Sequence, residues 1–307
     1  MADNLKTNPL HEIDRPIFII GTGRSGTTFL FHIMRRHPQL AWLCQYRTRI
    51  GLTRYDRTII RLRKVPLLGD PVFRILRKPR ALVEPYAFWQ RFMPGFNRPC
   101  RDLTADDLYL MNVSGVRKAI SEQIAEMKKP RFMGKYTGWS RIGLMEQVFP
   151  GARFINVIRD GRAVAWSLLN VPWWLGWRGP EKWRWGNLEE EDRDIWERSG
   201  KSFFVLAGLQ WKILMENLRE TGASIGDRYL EIRYEDLVAS PVQVISQLLQ
   251  WADLAADPKF IAEVKQMVKY NANQKWKEQV DDVQKRAFDS LLGPALDRFG
   301  YEVNPEY

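Results

Sequence analysis

The chain has 307 residues, 45% of them apolar, with a formal net charge of +11, enough to bury a full core without a metal or disulfide staple. Its two cysteines, Cys44 and Cys100, lie far apart and form no CxxC, which excludes a disulfide framework and a zinc site and fits a reducing compartment. No apolar stretch is long enough to span a membrane and the opening "MADNLKTNPLHEIDRP" lacks an apolar leader core, so a soluble, cytoplasmic protein is expected, whose positive charge favours anionic partners.

In chain order, residues 1–14 read as a polar tail. The apolar run "PIFII" near 16–20 predicts a strand, and a glycine-rich turn follows it. Phe29, Leu30, Ile33 and Met34 then form the apolar face of a helix that "RRHP" ends, with His32 and His37 at its flanks. Residues 50–128 read as a helical insertion. "RFMGK" at 131–135, "RFINVI" at 153–158 and "RYLEIR" at 228–233 predict three more strands. A tryptophan-rich segment over 171–188 and a long amphipathic helix over 192–221 separate the last two strands, and helices alternate with loops from about 241. Strand alternating with helix predicts an α/β fold in a single domain over residues 1–307, a P-loop-like parallel sheet flanked by helices, with ligands at the carboxyl ends of its strands.

The stretch "FIIGTGRSGTTFL" holds the chemistry. Gly21, Gly26 and Thr28 fit a phosphate-binding loop, but Thr27 stands where a nucleotide triphosphatase has its lysine. Such a turn presents backbone N–H groups and the positive end of a helix to an anion. Arg24 adds a fork of donors, and Ser25, Thr27 and Thr28 add hydroxyls. That equipment suits a transferring group of about one negative charge, such as sulfonate, better than a terminal phosphate of about two. A glycine-rich turn that merely joins strand to helix is the bland alternative.

The motif "IGTGRSGTTFL" resembles the 5′-phosphosulfate loop of sulfotransferases that use 3′-phosphoadenosine 5′-phosphosulfate (PAPS), in the arginine form of the tyrosylprotein and bacterial branch. A second motif, "VIRDGRAVAWSLL", puts Arg159 at a strand end and Ser167 about two helical turns on, where both can converge on one phosphate. It resembles the family's 3′-phosphate site. Its alternative is a helix-start charge network of Asp160 and Arg162. The resemblance thus implies PAPS as co-substrate, held by Gly23, Arg24, Ser25, Gly26, Thr27, Thr28, Arg159 and Ser167, with no metal.

Three further stretches carry the resemblance with less specificity. "FMGKYTG" puts Lys135 where related enzymes stabilise the departing oxygen, or else it is an exposed strand-end lysine. "EIRYEDLVASP" puts Tyr234 beside the cofactor, or else in a turn closed by Glu235 and Asp236. "NANQKWKEQV" puts Lys275 and Trp276 over the cofactor, or else on a surface loop with one packed tryptophan.

Transfer to a hydroxyl or amine needs a proton acceptor. Tyrosylprotein sulfotransferases have a glutamate soon after the first helix, where this chain reads "LAWLCQYRTRIG", without an acid. Glu84 in "RALVEPYAFWQRF" is the candidate base, against a plain helix-start carboxylate. Five tryptophans between Trp173 and Trp185 suit a sugar face or a membrane interface, or form a packed lid; either way they overhang the acceptor cleft. Residues 47–80 are basic with interleaved apolar positions, which suits peripheral contact with an anionic membrane or a polyanion, or else a solvated helical face. The expected acceptor is a hydroxyl or amine on a glycan, a lipid or a small metabolite; nucleic acid is not expected. Two rivals stand beside this reading: an ATP-dependent P-loop kinase and a non-catalytic basic binding module.

Overall fold

Strand β1 (Ile17–Ile20) is apolar along its whole length and buried along its whole length, as a central strand of a parallel sheet must be. The computed structural model describes residues 13–43, 84–97, 100–267 and 275–303. The expected basic surface at 47–80, Cys44, most of the polar tail and the first part of the helical insertion lie outside these residues. Five strands form one sheet in the order β2-β3-β1-β4-β5, with β2 (Leu40–Ala41), β3 (Arg131–Lys135), β4 (Arg153–Ile158) and β5 (Tyr229–Arg233). Every pairing is parallel; Phe18 lies beside Gly134 on one side and Phe154 on the other. Four strands match the expected ones. The edge strand β2 is two residues long, too short for any periodicity to reveal it.

The chain winds to one side of β1 through β2 and β3 and to the other through β4 and β5. The carboxyl end of β1 is therefore the point at which strand order reverses, where open α/β sheets bind ligands. Alternation along β1 feeds two cores. Phe18 and Ile20 join one; Ile17 and Ile19 join the other. On the first face Phe18 meets Trp89 at 6.2 Å, Phe149 at 5.6 Å and Phe154 at 5.6 Å.

Helix α1 (Thr27–Met34) starts directly after Gly26 and buries Leu30, Phe31, Ile33 and Met34. His37, just beyond its end, is a structural residue: its Nδ1 accepts from the Gln39 N–H at 3.2 Å, so its Nε2 donates to the Ala255 carbonyl at 2.9 Å. The described part of the expected insertion is helical, with α2 (Tyr86–Phe92), a 3₁₀ turn (Ala105–Leu110) and α3 (Val113–Met127). Helices α4 (Ile142–Val148) and α5 (Gly161–Leu169) follow β3 and β4.

One expected helix is two. The amphipathic pattern over 192–221 is divided into α6 (Glu190–Arg198) and α7 (Phe203–Ala223). Gly200 and Lys201 take φ values of +64° and +61° at the break, a left-handed conformation that ends a helix. After β5 come α8 (Tyr234–Ala239), α9 (Pro241–Trp251), α10 (Pro258–Met267), α11 (Lys275–Gln279) and α12 (Asp282–Arg298). Among the described residues no helix is long and apolar enough to cross a membrane.

Candidate functional site

The turn between β1 and α1 has a backbone that only some of its residues tolerate. Gly26 has φ +101° and Arg24 φ +72°. A Cβ on Gly26 would lie 2.3 Å from Cδ2 of Tyr234, so the ring of Tyr234 presses directly on the loop and requires glycine there. Ser25 is buried and ties the turn by donating its Oγ–H to the Thr22 carbonyl at 2.8 Å. The first N–H groups of α1 have no partner within the helix, and with the helix dipole they form an anion-binding end.

Arg24 joins this turn to β4 and α5. Its Nε donates to Ser167 Oγ at 2.8 Å, and Arg159 Nη1 donates to its carbonyl at 2.9 Å. The Arg159 guanidinium also lies 4.5 Å from the centre of the Tyr234 ring, and the Arg159 carbonyl accepts from Trp211 Nε1 at 3.1 Å. Burial pushes the pKa of Arg159 down from its ordinary value, but an arginine stays charged at neutral pH. The expected alternative at this strand end exists as well, on other residues. Asp160 caps α5 by accepting from the Arg162 N–H at 2.9 Å, and the Arg162 fork is held by Asp160 and the buried Asp289.

Lys135 ends β3 with a side chain 0% exposed, and its Nζ meets Glu84 Oε1 at 2.6 Å. Burial lowers the Lys135 pKa, and the Glu84 carboxylate opposes this without overcoming it. Lys135 is thus no exposed strand-end lysine. Glu84 is 42% exposed and faces a cleft of about 770 Å3.

That cleft gathers Gly23, Arg24, Gly26, Thr27, Thr28, Arg159 and Tyr234 on one side and Glu84 on the other. Ser167 joins them through Arg24, and Lys135 through Glu84. Lys275 and Trp276 are not brought to it. Trp276 is buried against the Arg162 guanidinium, 4.9 Å away, while Lys275 is exposed. The tryptophan-rich segment divides between both of its expected roles. Trp174 and Trp183 are buried, Trp174 donating its Nε1–H to Gln210 Oε1 at 2.8 Å. Trp173 and Trp185 line the cleft; Trp173 touches the space above Gly23 and Trp185 covers Gly138.

Sequence reasoning missed His32, Tyr86, Arg141 and Arg184 as cleft residues. His32 had a signal, since it follows Thr28 by one helical turn. Tyr86 lies two residues after Glu84 and Arg184 within the tryptophan-rich segment, but no spacing marked them or Arg141 individually; Tyr86 is placed by its hydroxyl, which meets Thr137 Oγ1 at 2.8 Å. Four arginines and one carboxylate line the space. This excess of positive charge, beside a loop in which a buried hydroxyl, Thr22 Oγ1, has no partner among the described residues, fits an anionic nucleotide. Among the described residues no three His, Cys, Asp or Glu side chains gather as metal ligands would.

Residues 16–258 match the family described as the sulfotransferase family. Two curated relatives are the omega-hydroxy-beta-dihydromenaquinone-9 sulfotransferases of Mycobacterium bovis and Mycobacterium tuberculosis, each 28% identical over 165 residues. The match covers 53% of this chain and 39% of the length of those relatives. Among solved structures, a sulfotransferase of Mycobacterium avium shares the fold with a TM-score of 0.55 at 17% identity, over 96% of this chain and 79% of that one. A sulfotransferase of Mycobacterium tuberculosis does so with a TM-score of 0.51 at 14% identity, over 91% of this chain and 77% of that one.

Proposed function

Since this chain belongs to the sulfotransferase family, we propose that it moves a sulfonate group from PAPS to an acceptor hydroxyl or amine, without a metal. The observation that carries this reading is the link of Arg24 to Ser167 and Arg159, which gathers the residues expected at the 5′ and the 3′ ends of one nucleotide into a single network. The donor nucleotide supplies the sulfonate and departs with the oxygen that carried it.

Each residue has a defined part. The N–H groups of Gly23 to Thr28 and the hydroxyls of Thr27 and Thr28 hold the 5′ phosphosulfate. Arg159 and Ser167 hold the 3′ phosphate, and Arg24 spans the two. Glu84 accepts the proton that the acceptor loses. Lys135, whose charge Glu84 balances in the structure, neutralises the oxygen that leaves. Trp173 and Trp185 wall the acceptor. The name of the mycobacterial relatives supports a hydroxyl acceptor on a lipid; glycans and small metabolites stay within the proposed class.

Calorimetric titration tests the reading. The protein is expected to bind 3′-phosphoadenosine 5′-phosphate in preference to ATP with magnesium, and Arg24→Ala is expected to abolish transfer while the variant stays folded. Preference for ATP with magnesium would establish the kinase rival instead. Affinity that collapses with salt, without preference for the 3′-phosphorylated nucleotide, would establish a basic binding module.

A further inference from the structure

The roles above leave one polar side chain of the cleft unused. His32 lies on α1 four residues after Thr28, so the two share one face of the helix, and both line the cleft. Its Nδ1 is buried and has no hydrogen-bond partner among the described residues.

That orphan nitrogen decides the chemistry of the ring. A proton on Nδ1 would be a buried N–H with nothing to accept it, and a bare Nδ1 is a buried acceptor with nothing donating to it; the tautomer that offers the cleft a donor is the one with its proton on Nε2. A second proton would incur the same cost and add a cation beside three others. Burial, with the charges of Arg35, Lys135 and Arg36, holds the His32 pKa below its usual value. Arg36 is paired with Glu263 at 3.0 Å, and the one carboxylate lining the cleft, Glu84, is engaged by Lys135. His32 is therefore held toward its neutral form and is a poor base, and a neutral histidine can polarise an oxygen by donating to it.

We propose that His32 is a further ligand of the transferring sulfonate, donating its Nε2–H to one of the sulfonate oxygens. Its place supports this choice. Thr28, one turn before it, belongs to the loop assigned to the 5′ phosphosulfate, and Lys135, assigned to the departing oxygen, acts on it electrostatically from β3. His32 is thus one turn from the first and within electrostatic reach of the second. The proton of the acceptor is left to Glu84.

The inference rests on the PAPS reading, and its test separates the two. Binding of PAPS and of 3′-phosphoadenosine 5′-phosphate, which lacks the sulfonate, is measured by calorimetry for the wild type, His32→Ala and His32→Gln. His32→Ala is expected to weaken PAPS by about tenfold, the scale of a hydrogen bond to a charged group, and to leave the desulfated nucleotide unchanged, which also shows that the variant is folded. His32→Gln, a neutral donor, is expected to recover most of the loss. Nitrogen NMR of the wild type is expected to find the proton on Nε2. Equal effects on both nucleotides, no effect on PAPS, or a proton on Nδ1 would overturn the proposal while leaving the function intact. Failure of the wild type to bind either nucleotide would overturn the function and this proposal with it.

Discussion

The two sides of the cleft are built on different physical principles. The side of β1, β4 and α8 is made of backbone: a turn with positive φ at Arg24 and Gly26, a helix start, and an aromatic ring pressed on a glycine. The opposite side is made of side chains from separate segments. Glu84 and Tyr86 precede and begin α2, Thr137 and Arg141 follow β3, and Trp173 and Trp185 belong to the tryptophan-rich segment. The first side suits a constant donor. The second suits a part of the site that can vary, because loops and inserted helices change without disturbing the sheet.

The largest expected effect comes from removing the charge that faces the second side. Glu84→Gln keeps size and shape but takes no proton. Loss of a general base costs about 10²–10⁴ in kcat, and affinity for 3′-phosphoadenosine 5′-phosphate is expected to stay as it was. Kinetics and calorimetry on the same preparation check this. A parallel loss of nucleotide affinity would erase the division between the two sides.

Two glycine variants sharpen it. Gly26→Ala forces a Cβ to 2.3 Å from Tyr234 at φ +101°. Strain of this kind is worth about 1–3 kcal/mol, so nucleotide affinity should fall by about tenfold or more. Gly138→Ala, also at positive φ, directs its Cβ at Trp185, 2.8 Å away. It should raise KM for the acceptor and spare nucleotide affinity. Measured side by side, the pair reports whether each glycine serves its own side.

The same division explains what the sequence revealed. The glycine loop, the strand ends at Arg159 and Lys135, and the start of α5 are local: each needs only a short stretch in order, and short stretches are what spacing reads. Arg159 and Arg162 show where that ends. Both are buried and three residues apart, yet Arg159 lines the cleft and Arg162 is locked between Asp160 and Asp289. Asp289 comes from α12, and no local pattern announces it. Trp276 is away from the cleft for the same reason, packed instead against Arg162. The helix break at Gly200 and Lys201 was written as "SGKS", a signal overridden by the strong amphipathic pattern on either side.

The smallest effect lies in the ion pair of the second side, of which Lys135 is the buried member, and its sign is fixed by which influence on Lys135 wins. Burial lowers the Lys135 pKa more than Glu84 raises it, so the folded protein holds this proton less tightly than the unfolded chain, in which lysine titrates near 10.5. Between the lowered folded value and 10.5 the unfolded state binds more protons, and Lys135 makes stability rise with pH in that window. Below the window the full cost of burying the cation is present. Lys135→Met removes the cost and the dependence together. The difference between variant and wild type, read from urea midpoints, should therefore favour the variant most at neutral pH and shrink as pH approaches 10.5, even though turnover falls because the departing oxygen has lost its cation. A variant less stable than the wild type at neutral pH, with the gap constant to alkaline pH, would mean that the Glu84 contact outweighs burial and that this side of the cleft is held by its ion pair.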